Sequence, residues 1–105
     1  MAEVPIEIIE KVKLFVAELQ KNNFHIEKAI LYGSYANGTS NEWSDIDIAL
    51  VSNDFEGCRI KDKNRIRDIK AKIDFSLSPL PYRPEDFNES DLFVKEILKT
   101  GIRIV

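Results

Sequence analysis

Two aspartates two residues apart, Asp45 and Asp47, come shortly after a glycine-serine pair, Gly33-Ser34. On a strand, residues i and i+2 point to one face with their backbone positions roughly 6.5 to 7 Å apart. Both carboxylates can therefore converge on shared cations. Glycine lets the backbone approach an anion closely, and the unpaired amides at the start of a following helix, with the Ser34 hydroxyl, supply donors for phosphate. Together they suit metal-assisted phosphoryl transfer, where carboxylates hold two divalent cations roughly 3.5 to 4 Å apart and stabilise both attacking and leaving oxygens. Asp74, in Lys72-Ile73-Asp74-Phe75-Ser76-Leu77, is the natural third carboxylate if its strand pairs beside theirs. Each half alone is ambiguous: D-x-D pairs are common on exposed strands, and glycine-serine pairs usually make turns. Their occurrence in this order shifts the balance toward chemistry.

The elements that must position these groups are legible in the apolar pattern. From Pro5 to about Lys21, Ile8, Ile9, Val12, Phe15, Val16 and Leu19 recur at amphipathic-helix spacing, and Asn22-Asn23 ends the run. Phe24 to Tyr32 reads as a strand that turns wholly apolar at Ala29-Ile30-Leu31-Tyr32, as a central strand would. A short helical turn over 35–39 and a polar loop lead to the strand Asp45 to Val51, with Ile46, Ile48 and Leu50 facing the core and Asp45, Asp47 and Ala49 opposite. Arg59 to Asp68 reads as a charged helix, and 72–77 as an alternating strand with Asp74 and Ser76 on one face. Pro79, Pro81 and Pro84 mark an irregular link. Asp91 to Lys99 reads as a second amphipathic helix with Ser90 as N-cap and Gly101 beyond its end, before a closing strand, Ile102 to Val105. The expected fold class is α/β: one domain over residues 1–105, a small mixed sheet with helices mainly on one face and the carboxylates on the open side.

At 105 residues the chain matches one domain, large enough for one core and too short for a separate substrate domain. The net charge of -3 gives no long-range attraction for nucleic acid. The N-terminus carries no basic cluster ahead of an apolar stretch, so a cytoplasmic setting is expected. Cys58 is the one cysteine and reads as a reduced thiol. His25 lies at the start of the first strand, away from the motif, and reads as a surface or structural residue. Trp43 and Tyr35 flank the motif and suit either base stacking or loop packing. The basic run of Arg59, Lys61, Lys63, Arg65, Arg67, Lys70 and Lys72 is either a solvated helix face or a contact for phosphate or a partner.

The run G-S-Y-A-N-G-T-S-N-E-W-S-D-I-D-I resembles the signature of the nucleotidyltransferases related to DNA polymerase beta, in particular the minimal nucleotidyltransferases. The order of elements along most of the chain resembles theirs too. The resemblance implies that Asp45 and Asp47 coordinate two Mg²⁺ ions, that Asp74 completes the site of the ion activating the acceptor hydroxyl, and that Gly33 and Ser34 hold the triphosphate of ATP. It further implies a partner, a helical HEPN-domain toxin encoded nearby, silenced by transfer of AMP to a tyrosine. Where the family often has arginine or lysine after Ala36, this chain has Asn37, which removes a cation. Two other readings stay open: a binding module that neutralises its partner by occlusion, and a small-molecule nucleotidyltransferase.

Overall fold

The computed structural model describes residues 4–41 and 43–105. Helix α1, Ile6–Lys21, turns Ile8, Val12, Phe15, Val16 and Leu19 inward, the one-sided burial its periodicity predicts. Asn22 closes it, and Asn23 adopts φ +68°, a left-handed bend that asparagine tolerates. Strand β1 is shorter than the predicted span and covers Lys28–Tyr32. The reason lies at His25, whose backbone N–H donates to Asp54 Oδ2 at 2.7 Å instead of to a neighbouring strand. Its ring nitrogen lies 3.1 Å from the same oxygen, so His25 is a structural residue.

The remaining elements are α2 (Ser34–Asn37), β2 (Ile46–Val51), α3 (Arg59–Ile73), β3 (Leu77–Tyr82), a 3-10 turn (Pro84–Asp86), α4 (Leu92–Thr100) and β4 (Ile102–Arg103). The sheet order is β3-β2-β1-β4. Strand β1 runs antiparallel to β2 and β4, whereas β2 and β3 are parallel and joined by the crossover helix α3. Ile46, Ile48 and Leu50 pack with α1 and α3 in the main core. On the other face Ala49 and Val51 join Leu80, Tyr82, Phe87, Val94 and Ile97 in a second cluster under α4. The expected mixed sheet with helices mainly on one face is present, although α4 covers part of the face expected to be open.

Three expectations along the second half of the chain are corrected. The charged helix does not stop at Asp68 but runs to Ile73, because Ile66, Ile69 and Ile73 continue its apolar face. The apparent alternation through Phe75 is not a strand, and Phe75 is 81% exposed. The strand lies instead at Leu77–Tyr82, where prolines argued for a link. Because β3 is an edge strand, Pro79 and Pro81 can lack N–H donors on its unpaired side. The N-cap of α4 is Asp91, not Ser90: its carboxylate accepts from Phe93 N at 2.8 Å and Val94 N at 3.3 Å.

Asp62 anchors the entry to α3. Its carboxylate is fully buried and accepts from the amides of Glu56 at 2.9 Å and Gly57 at 3.0 Å, with Arg65 at 3.4 Å. Asp62→Ala would leave both amides without partners, and urea unfolding should show a loss of about 2 to 3 kcal/mol. Among the described residues, no helix is long and apolar enough to cross a membrane.

Candidate active site

Asp47 lies at the start of β2 and is half-buried, and Asp45, immediately before the strand, is exposed. The register places Tyr32 of β1 on one side of Asp47 and Ser78 of β3 on the other. These three residues thus form one row across the sheet. Tyr32 continues directly into Gly33, which takes φ +75° and starts α2 at Ser34. A side chain at position 33 would collide with Asp47 Oδ2, so glycine is what lets the turn sit directly against that carboxylate. Of the predicted site residues, the structure thus brings Gly33 against Asp47.

Burial, and then the neighbouring charge of Asp45, push the Asp47 carboxyl above its ordinary range. Burial and the negative charge of Asp47 likewise push the Tyr32 hydroxyl up to about 12. Two carboxylates paired this way are electrostatically costly, and a cation relieves both. Asn37 joins Tyr32, Gly33, Phe93, Glu96, Ile97 and Thr100 around a hollow of about 240 Å³ between α2 and α4. Tyr35 packs against the main core, while Trp43 is 86% exposed and so does not pack into its loop.

Asp74 is placed differently from its expected strand position. It caps the C-terminus of α3, and its Oδ2 lies 2.6 Å from Lys11 Nζ. Its Oδ1 accepts from Ser76 Oγ at 2.6 Å and Ser76 N at 2.8 Å. Hydrogen bonds from Lys11 and Ser76 hold this carboxyl down at about 2. Among the described residues, no group of three or more acidic, histidine or cysteine side chains is arranged to hold a metal. The β3 residue in register with Asp47 is Ser78, not an aspartate. Sequence reasoning missed Ser78 because it rejected the proline-bearing strand, and it had no local signal for Lys11, which arrives from α1.

Because the Asp74 carboxyl is depressed, its pairing stabilises the fold above the unfolded pKa of about 3.9, and that contribution is lost as pH falls through about 2. Lys11→Ala should cost about 1 kcal/mol at pH 7, discounted for solvent screening, and less than half of that near pH 2. Urea titrations at the two pH values measure the difference.

Comparison with known proteins bears on this site. Residues 15–105 match the family described as polymerase beta, nucleotidyltransferase. A Methanocaldococcus jannaschii protein named as a "putative protein adenylyltransferase" is 28% identical over 103 residues, which cover 94% of this chain and 97% of that protein. A second protein of the same name and organism is 32% identical over 73 residues, 66% of this chain and 50% of its own length. The crystal structure of a "putative nucleotidyltransferase" from Sulfolobus solfataricus superposes with a TM-score of 0.63 at 20% identity, covering 93% of this chain and 79% of that one. That last likeness is one of fold.

Proposed function

Since the chain belongs to the polymerase beta nucleotidyltransferase family, we propose that it transfers AMP from ATP to a hydroxyl of a partner protein. The observation that carries this reading is Gly33 seated against Asp47 beside Asp45, a glycine-serine turn meeting paired carboxylates. The names of the two archaeal relatives support protein as the acceptor class. In the reading, the Gly33-Ser34 backbone and the Ser34 hydroxyl hold the triphosphate tail. The acceptor oxygen forms a bond to the α-phosphorus as the bond to the β-phosphate oxygen breaks. Pyrophosphate leaves, and the hydroxyl proton passes to solvent.

The donor set fits a divalent cation that arrives with the nucleotide, since Mg²⁺ is commonly held by one or two carboxylates plus substrate phosphates and water. Asp45 and Asp47 would hold it, and when bound it neutralises charge on the phosphates. A pair of ions on three carboxylates fits less well, because Lys11 and Ser76 already engage both oxygens of Asp74. The proposed partner is a helical HEPN-domain protein encoded nearby, with a tyrosine as acceptor and this chain as the antitoxin, as the sequence resemblance implies. Incubation with ATP, Mg²⁺ and that protein should add the mass of one AMP to it. No added mass, together with Asp45→Asn indistinguishable from the parent, overturns the reading.

Three observations favour a second reading, in which the chain neutralises its partner by occlusion with weak chemistry: Asp74 is engaged elsewhere, Ser78 stands beside Asp47, and Asn37 supplies no cation. Under it, the double variant D45N/D47N still neutralises the toxin; under catalysis it does not. Ser78→Asp sets a carboxylate in register with Asp47 and should raise transfer by about tenfold or more if a missing ligand limits the rate. Initial rates of pyrophosphate release measure it, and an unchanged rate removes Asp74's absence as the reason for weak chemistry.

A further inference from the structure

The basic run of α3 is not a uniformly solvated face. Lys63, Arg67 and Lys70 fall at i, i+4 and i+7 and so line one side of the helix. With Asn64 they form one wall of a groove of about 260 Å³, whose other wall is Ser78 and Pro79 at the edge of the sheet. Among the described residues, none of these three cations lies within ion-pairing distance of a carboxylate. The two acidic residues of α3 do not line the groove: Asp62 is buried beside Arg65, and Asp68 is exposed elsewhere on the helix. In a chain of net charge -3, three unpaired cations on one wall are a local concentration of the opposite sign.

The groove also has a defined place relative to the site. Ser78 is in register with Asp47, so its backbone lies roughly 4.8 Å away, one strand over. Gly33 and Ser34 follow the end of β1, on the other flank of Asp47. In an in-line displacement the attacking oxygen enters opposite the leaving pyrophosphate. A donor whose triphosphate rests on the Gly33-Ser34 flank therefore receives its acceptor from the β3 flank. The groove lies along the outer edge of β3, its cations on α3, which packs against the sheet face opposite Asp47, and Ser78 is the residue common to the groove and the Asp47 row. On these grounds, and resting on the transfer reading above, we infer that Lys63, Arg67 and Lys70 bind an acidic protein segment that carries the acceptor hydroxyl. A nucleic acid acceptor is less well matched, because among the described residues no aromatic side chain lines the groove to stack a base.

Fluorescence anisotropy at low ionic strength tests this without requiring turnover. The probes are a labelled peptide with a tyrosine flanked by glutamates, its lysine-flanked counterpart and a short oligoriboadenylate. The acidic peptide should bind best. The triple variant K63E/R67E/K70E should bind it about tenfold or more weakly, whereas K13E/K21E, which reverses two charges on α1, should leave its affinity unchanged. Equal affinity of the triple variant and the parent overturns the proposal, as does tighter binding of the oligonucleotide than of the acidic peptide. Charge-dependent peptide binding without AMP transfer to any acceptor upholds the groove and sinks the transfer reading. Transfer to the tyrosine peptide that is indifferent to the triple reversal does the opposite.

Discussion

Asp47→Asn is expected to lower AMP transfer by about 10³-fold while leaving the fold intact, a loss of the size seen when one group is removed from a preorganised electrostatic site. Asparagine keeps the shape of aspartate, so Tyr32, Gly33 and Ser78 keep their neighbour. What disappears is the charge. In the native chain that charge is held at a cost, since burial and Asp45 both push the carboxyl upward. A group whose folded pKa is raised destabilises the fold once it ionises above its unfolded value, so the variant should be more stable than the parent at pH 7 without metal. Below pH 3, where both forms are neutral, the gain should vanish. Steady-state rates and urea unfolding at the two pH values measure the pair of effects, and a variant both inactive and destabilised would mark Asp47 as structural.

The second large effect belongs to Gly33. At φ +75° and ψ -148°, a conformation essentially reserved to glycine, an alanine bears backbone strain of about 1 to 3 kcal/mol. Its Cβ must also displace Asp47 Oδ2 or shift the turn. Gly33→Ala should therefore cost about 1 to 3 kcal/mol in stability and about 10²-fold in transfer, the penalty expected when a catalytic group moves by about 1 Å. Gly57→Ala is the matching control: it too has positive φ, +89°, but its new Cβ meets the Arg83 side chain. That variant should lose stability and keep its turnover per folded molecule. Thermal melts and active-site-normalised rates separate the two, and equal activity losses would mean that strain alone, not displacement of Asp47, is responsible.

The contrast between Asp47 and Asp74 shows what a single sequence can carry. Asp47 was legible because its partners are local: the turn lies within fifteen residues, and alternation along one strong strand fixes which way the side chain points. The α1 face and the apolar strand β1 were legible for the same reason, since burial imposes its period on neighbouring residues. Asp74 failed because its surroundings are not local. A helix continuing through Ile73 and a strand running through Ile73, Phe75 and Leu77 share the same apolar residues, and only packing against α1, with Lys11 arriving from 63 positions away, decides between them. The prolines of β3 misled for a related reason: they forbid a central strand and permit an edge one, and edge position is a property of the whole sheet. Asp91 and Ser90 can each cap a helix, and one residue of chain geometry sets the choice.

The basic run of α3 was legible as charge but not as a groove. Its cations were visible in sequence, whereas the wall they face is built by β3, the element that pattern reading placed wrongly. Correcting that strand both removes a third carboxylate from beside Asp47 and gives the α3 cations an opposite wall, Ser78 and Pro79, at the outer edge of the sheet. The proposed transfer thus turns on a two-carboxylate site with its donor flank at Gly33-Ser34.

The most direct test is the fate of the phosphorus atoms of ATP. With the neighbouring-gene protein as acceptor, label on the α-phosphate should enter acid-precipitable protein, label on the γ-phosphate should not, and Asp47→Asn should abolish the α-label incorporation. Incorporation of γ-label, or α-label entering protein equally well with Asp47→Asn, would contradict transfer of AMP at this site.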